Sequence, residues 1–208
     1  QHLDLVGAFT PEMRESDDEA VRRASLFVDT RDGCLKEGGD IVQPQGDAMS
    51  LRALDALLKP RSVALVGASA RPGSVGALLL GKLTDGRFAG DVWPINPKGR
   101  IDDTRPAFRS LRELPATPDL ALIAAPGRAV PGILRDLGRL GGKAAAIFAD
   151  DLGGGLARRH AKAERLVTRI IRRYGLHVLG PASVGLQSPN VGLDASLSPT
   201  TAAAGDLA

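Results

Sequence analysis

An apolar run, Val63-Ala64-Leu65-Val66, breaks into the small-residue loop Gly67-Ala68-Ser69-Ala70-Arg71-Pro72-Gly73-Ser74-Val75-Gly76 and resumes as Ala77-Leu78-Leu79-Leu80. Four successive apolar residues without polar alternation suit a strand covered on both faces, as in a parallel sheet with helices on either side. A glycine-bearing turn that opens directly into a helix leaves the helix's first amides unbonded, and those donors favour phosphate. The stretch therefore predicts a parallel α/β sheet with a phosphate site at the end of one strand.

The rest of the chain continues the alternation. Leu51, Leu54, Leu57 and Leu58 share a helical face that Pro60 ends. Strands are predicted at Ser62 to Val66, Asp91 to Ile95, Leu120 to Ala125, Ala144 to Ala149 and His177 to Leu179. Helices are predicted from about Val75 to Thr84, Val130 to Leu140 and His160 to Tyr174, with a short segment at Ser110 to Leu114. This order implies a Rossmann-like, doubly wound parallel sheet. Such sheets bind ligands beyond the carboxyl ends of their strands. Ser69 to Pro72, Asn96 to Lys98, Ala125 to Gly127 and Gly180-Pro181 all fall there and should meet at one site.

Composition removes several function classes. The formal charge of +3 comes from scattered arginines, and aromatic residues make up only 3% of the chain, which argues against nucleic-acid binding. The lone cysteine, Cys34, excludes an intrachain disulfide and fits a reducing, cytoplasmic compartment. No apolar run reaches the roughly 20 residues of a membrane span. His2 belongs to the foreign-looking head of the chain, His160 sits in a predicted helix among arginines and His177 precedes a buried strand, so each reads as structural or solvated and no catalytic residue or metal ligand is assigned. Oligomeric state, including a homo-oligomer, stays open.

The ligand is narrowed by the second strand. Gly67, Gly73 and Gly76 do not match the dinucleotide spacing G-x-G-x-x-G, and glycines that only shape a turn would look the same. A NAD site carries an acid about 20 residues past the loop to bond the ribose hydroxyls. This chain has Asn96-Pro97-Lys98-Gly99-Arg100 there. A cation at that point suits a phosphorylated ribose, in coenzyme A or NADP, although a solvated surface lysine remains an alternative.

Leu57-Leu58-Lys59-Pro60-Arg61-Ser62-Val63-Ala64-Leu65-Val66-Gly67-Ala68-Ser69, Gly73-Ser74-Val75-Gly76, Gly90-Asp91-Val92-Trp93-Pro94-Ile95-Asn96-Pro97-Lys98, Pro118-Asp119-Leu120-Ala121-Leu122-Ile123-Ala124-Ala125-Pro126 and Leu179-Gly180-Pro181 occur in this order. Together they resemble the CoA-binding domain of NDP-forming acyl-CoA synthetases, relatives of the succinyl-CoA ligase alpha subunit. The same domain also occurs fused to an acetyltransferase. The resemblance implies that Ser69, Ala70, Arg71 and Pro72 wrap the nucleotide phosphates, that Lys98 pairs with a phosphate of coenzyme A, and that Pro126 walls the pantetheine arm. Gly67 and Asn96 complete the cofactor-binding set.

It also implies that the phosphorylated histidine and the ATP-grasp nucleotide site lie in further subdomains. Residues 51–186 would then form the CoA-binding domain and 187–208 the lead-in to the next subdomain. A CoA-sensing module of a protein acetyltransferase is the alternative function, and an NADP-dependent oxidoreductase a further one. Two positions depart from the family: Gly180-Pro181-Ala182-Ser183 stands where Gly-Pro-Asn is usual. Asp150-Asp151-Leu152-Gly153-Gly154-Gly155 replaces a Gly-Phe turn and should be a mobile loop.

The head of the chain reads differently. His2-Leu3-Asp4-Leu5-Val6-Gly7-Ala8-Phe9-Thr10-Pro11-Glu12-Met13-Arg14-Glu15, with Phe27-Val28-Asp29-Thr30 and Glu37-Gly38-Gly39-Asp40, resembles the late part of ornithine cyclodeaminase-type, NAD-dependent enzymes. Those enzymes carry an aspartate after the Gly-Ala pair where Phe9 stands here, which speaks against cyclodeaminase activity. A short α/β segment over residues 1–43 and a breaker-rich linker over 44–50 are expected, with Met49 as an ordinary start for a second protein. Gln1 in first position suggests a piece of a longer protein. Residues 1–48 are expected to come from an upstream coding sequence joined to a second protein beginning near Met49, with a native N-terminal extension packed on the core as the alternative. Limited proteolysis separates them, a stable core beginning near residue 50 supporting the join and protection of the first 45 residues contradicting it.

Overall fold

The computed structural model describes residues 55–152, 157–203 and 205. The cyclodeaminase-like segment, the linker, Cys34 and the glycines of the loop beyond Leu152 lie outside the described residues. The elements are β1 (Ser62–Val66), α1 (Val75–Leu83), β2 (Asp91–Ile95), β3 (Leu120–Ile123), α2 (Val130–Arg139), β4 (Ala144–Ile147), α3 (Ala157–Tyr174), β5 (His177–Leu179), β6 (Gly185–Ser188) and β7 (Leu193–Ser196). None of the described helices is long and apolar enough to cross a membrane.

The first five strands form one parallel sheet in the order β2-β1-β3-β4-β5, the doubly wound α/β architecture that the sequence predicts. The chain leaves β1 toward β2 on one side and returns to β3 on the other, which creates a switch point between β1 and β3. Val66 is paired with both Ile95 and Ile123, and Ile123 with Ile147. The last residues of β1, β2, β3 and β4 are therefore level, and their loops leave from one line.

Alternate residues of the strands feed two cores. Ala64, Val66, Ala121, Ile123, Ala145 and Ile147 face Leu134 and Leu137 of α2 and Val167 and Ile170 of α3. Val63, Leu65, Leu120, Leu122, Ala144 and Ala146 face Leu79, Leu80 and Leu83 of α1. Each large side chain buried this way contributes about 1.5–3 kcal/mol. Burial on both faces is why these strands read as continuous apolar runs. Pro94 fits because β2 is an edge strand. Its carbonyl points outward and accepts a bond of 3.0 Å from the Phe108 N–H.

Several boundaries differ from the sequence expectation. β3 ends at Ile123 and β4 at Ile147, two residues early in each case, because the chain turns into the end loops there. α3 starts at Ala157 rather than His160. The larger difference is the antiparallel hairpin β6–β7, which sequence reading does not anticipate. Residues 187–203, expected as a lead-in to another subdomain, lie in the same compact unit as the sheet. Leu193 and Ala195 of β7 join the α1 side of the core, packed with Leu79, Leu80 and Leu83.

A buried ion pair fixes the hairpin. Lys82 Nζ donates to both carboxylate oxygens of Asp194 at 3.1 Å and to the Ser198 carbonyl at 2.6 Å. Asp194 also accepts from the hydroxyls of Ser196 and Thr201, each at 2.7 Å. Burial alone raises the Asp194 carboxyl, but these hydroxyls and the Lys82 ammonium outweigh it and hold it below its ordinary value of 3.8. The unfolded chain therefore binds this proton more readily than the native one. The stabilisation is complete above pH 3.8 and is lost as pH falls through the native value. Asp194→Ala should cost about 3 kcal/mol by leaving Lys82 buried without its charge partner, as measured by denaturant unfolding at pH 7. Asp194→Asn should also flatten the acid limb of the stability curve.

Candidate functional site

The loop after β1 packs tightly against its neighbours. Gly67 has φ +95°, and a Cβ there would stand 2.7 Å from the Ala124 carbonyl oxygen in the loop after β3. A Cβ on Gly76 would collide with the Gly67 carbonyl, so α1 starts in direct contact with the turn. The amides of Gly67 and Ala68 both donate to the Ile95 carbonyl, at 2.9 and 3.1 Å. Gly67 therefore serves close approach, and its own N–H is already used.

Beyond Ala68 the hydrogen bonding changes. Ser69 Oγ accepts from the Arg71 N–H at 3.0 Å. Ser74 Oγ donates to the Arg71 carbonyl at 2.7 Å and caps α1 by accepting from the Ala77 N–H at 3.2 Å. These bonds hold the loop open. Among the described residues, no acceptor takes the amides of Ser69, Ala70 or Gly73. With the first-turn amides of Val75 and Gly76, which have no intrahelical acceptor, they form a row of unspent donors at the switch point.

The loop after β2 is tied to this row. Asn96 Nδ2 donates to the Ala68 carbonyl at 2.9 Å, and Asn96 Oδ1 accepts from the Lys98 N–H at 2.9 Å. One carboxamide thus fixes the turn carrying Lys98 to the turn carrying Ser69. After β3, Pro126 is exposed and opens a short 3-10 turn, Gly127–Ala129. Gly127 packs without room for a side chain against the Asp151 carbonyl in the loop after β4. The loop after β5 is bonded to the same β4 end, through Ala182 N–H to the Ala149 carbonyl at 2.9 Å and Ser183 N–H to the Ile147 carbonyl at 3.0 Å.

The loops carrying Gly67, Ser69, Ala70, Arg71, Pro72, Asn96, Lys98 and Pro126 therefore adjoin one another, and Gly180-Pro181 reaches them through β4. Charge is unevenly spread along this line. Arg71 after β1, Lys98 after β2 and Arg128 after β3 are exposed, with no carboxylate within 4 Å among the described residues. Asp150 and Asp151 follow β4. Sequence reading passes over Arg128, although its place two residues past Pro126 at a strand's carboxyl end is a usable signal.

His177 stands at the other end of the sheet, on the first residue of β5. Burial, with the nearby Lys143 charge, lowers its pKa and keeps the imidazole neutral near pH 7. It cannot reach the loops. No cluster of three metal-ligating side chains occurs among the described residues.

Unspent amides and unpaired cations at the carboxyl ends of β1, β2 and β3 define a doubly wound domain that binds an anionic, phosphate-bearing nucleotide. A family model described as CoA binding domain matches residues 61–189, and the chain belongs to that family. Coenzyme A is its cofactor, and the residues present fit it: its pyrophosphate suits the amide row and its ribose phosphate suits the cations.

The chain is 33% identical over 160 residues to the alpha subunit of acetate–CoA ligase (ADP-forming) I of Pyrococcus furiosus, covering 75% of this chain and 34% of that protein. It is 34% identical over 137 residues to trans-feruloyl-CoA synthase FCS1 of an unknown prokaryotic organism, covering 65% of this chain and 19% of that one. A solved structure of acetyl-coenzyme A synthetase 1 of Candidatus Korarchaeum cryptofilum, in complex with phosphate and ADP, superposes with a TM-score of 0.62 at 31% identity, over 71% of this chain and 31% of that chain. The chain thus spans about a third or less of the length of these relatives.

Ala182 lies at φ +57°. The left-handed region costs an alanine about 1–2 kcal/mol, and asparagine and glycine less. Ala182→Gly should stabilise the protein by about 0.5–1 kcal/mol in thermal unfolding, and a variant of unchanged or lower stability would contradict the strain assigned to this position.

Proposed function

We propose that this domain holds coenzyme A for acyl-CoA thioester formation by an NDP-forming acyl-CoA synthetase. The unspent amides of Ser69, Ala70, Gly73, Val75 and Gly76 at the switch point carry the reading. In it, Ser69, Ala70, Arg71 and Pro72 wrap the pyrophosphate, while Lys98 pairs with the ribose phosphate and Pro126 lies beside the pantetheine arm. Asn96 acts by holding the two phosphate-facing turns together. The basic ends of β1, β2 and β3 and the acidic end of β4 orient the ligand, with its phosphates over the former.

The acyl group is chosen elsewhere in this reading. The relatives that share the domain are named for substrates as different as acetate and ferulate. The phosphohistidine and the ATP-grasp nucleotide site belong to further ligase subdomains, and the setting is cytoplasmic. This chain supplies binding rather than turnover.

Calorimetric titration tests this directly. Coenzyme A should bind, dephospho-CoA should bind more weakly by about 1–3 kcal/mol for loss of a charge-assisted bond, and NADP should not compete. Lys98→Ala should remove most of that difference. Binding of NADP without coenzyme A would overturn the reading. If Lys98→Ala keeps full affinity, only the role given to that lysine falls.

A further inference from the structure

The segment that follows the Lys98 turn runs back beside β2. Phe108 N–H donates to the Pro94 carbonyl at 3.0 Å and its carbonyl accepts from the Asn96 N–H at 2.8 Å, in a parallel bridge with Ile95. Arg109 therefore emerges at the same carboxyl end as Asn96 and Lys98. Its side chain lies across Gly99: Nε, Cγ and Nη2 stand 2.9, 3.4 and 3.7 Å from where a Cβ on residue 99 would be. Gly99, at φ +73°, closes the turn by donating its N–H to the Asn96 carbonyl at 2.8 Å. A guanidinium is thus laid against the residue next to Lys98, in space that any other residue at position 99 would fill.

The pairing of the neighbouring arginines makes this one stand out. Arg100 pairs with Asp103 at 3.3 Å, Arg105 with Asp102 at 2.6 Å and Arg112 with Asp136 at 2.7 Å. Glu113, the acid beside Arg109, is used by the Arg109 backbone N–H at 2.7 Å. The Arg109 guanidinium has no carboxylate within 4 Å among the described residues, and neither does Lys98. Arg109 rests against the residue next to Lys98, so both cations leave the same turn without a counter-charge, and a dianion bound at that turn would pair with both. A phosphomonoester supplies that charge, with oxygens spaced for the two-pronged guanidinium.

Resting on the reading that this domain binds coenzyme A, we propose that Arg109 is a specificity-determining residue that closes with Lys98 on the 3′-phosphate of its ribose. Sequence reading places only Lys98 there. The lysine supplies a point charge, and the arginine supplies direction.

The test compares the dissociation constants of coenzyme A and dephospho-CoA for the chain and for Arg109→Gln, Arg109→Lys and Arg112→Gln, with thermal unfolding confirming that each variant is folded. Arg109→Gln should weaken coenzyme A on the order of 10- to 100-fold and leave dephospho-CoA within about twofold, so the preference collapses. Arg109→Lys should fall between. Arg112→Gln removes the same formal charge from a residue already paired with Asp136 and should leave the ratio unchanged. A ratio unaltered by Arg109→Gln overturns the proposal, as does equal loss in Arg112→Gln, which would mean general electrostatics. A ratio that collapses in Lys98→Ala but not in Arg109→Gln removes Arg109 and keeps the coenzyme A reading. Failure of the unaltered chain to bind coenzyme A removes both.

Discussion

The contact between the Gly67 carbonyl and Gly76 is the constraint on which the rest of the site depends. Because neither residue has a side chain, β1 turns into α1 with the helix start lying directly on the turn. That closeness sets the first-turn amides beside those of Ser69, Ala70 and Gly73. Gly67 also sits against the Ala124–Ala125 peptide, so the same turn fixes the separation between the loops after β1 and β3. A side chain at either glycine would push the helix or the neighbouring loop away and break up the row of donors.

Strand ends carry the arrangement outward from that point. The level finish of β1, β2, β3 and β4 lets single hydrogen bonds join loops distant in sequence, as Asn96 does for Ala68 and Lys98. The cations then need no elaborate scaffold: each follows a strand directly and inherits its position from the register. The hairpin serves stability instead, packing Leu193 and Ala195 into the core beside α1 and held there by Lys82 and Asp194.

Sequence carries the sheet well and the hairpin not at all, for a physical reason. Strands buried on both faces, such as Val63 to Val66 and Leu120 to Ile123, declare themselves as unbroken apolar runs. Gly185 to Ser196 has the opposite character: Gln187, Asp194 and Ser196 are polar residues satisfied by one another and by Lys82 across more than a hundred positions. Such a network has no local signature. The same holds for the site. The turn and Lys98 are visible from their place after predicted strands, whereas the bridge that Asn96 makes between Ala68 and Lys98 depends on the pairing of β2 with β1, and the place of Arg109 against Gly99 on the pairing of Phe108 with β2, which no spacing announces.

The central claim is that the amides after Ser69 bind the phosphates of coenzyme A. It is tested most directly by following the backbone amide resonances of the isotopically labelled chain during titration with coenzyme A. The account predicts the largest shifts at Ser69, Ala70, Gly73, Val75 and Gly76, smaller ones around Lys98, and little change in the β6–β7 hairpin. Saturable binding that leaves those five amides unmoved, or shifts concentrated in the hairpin, would contradict it.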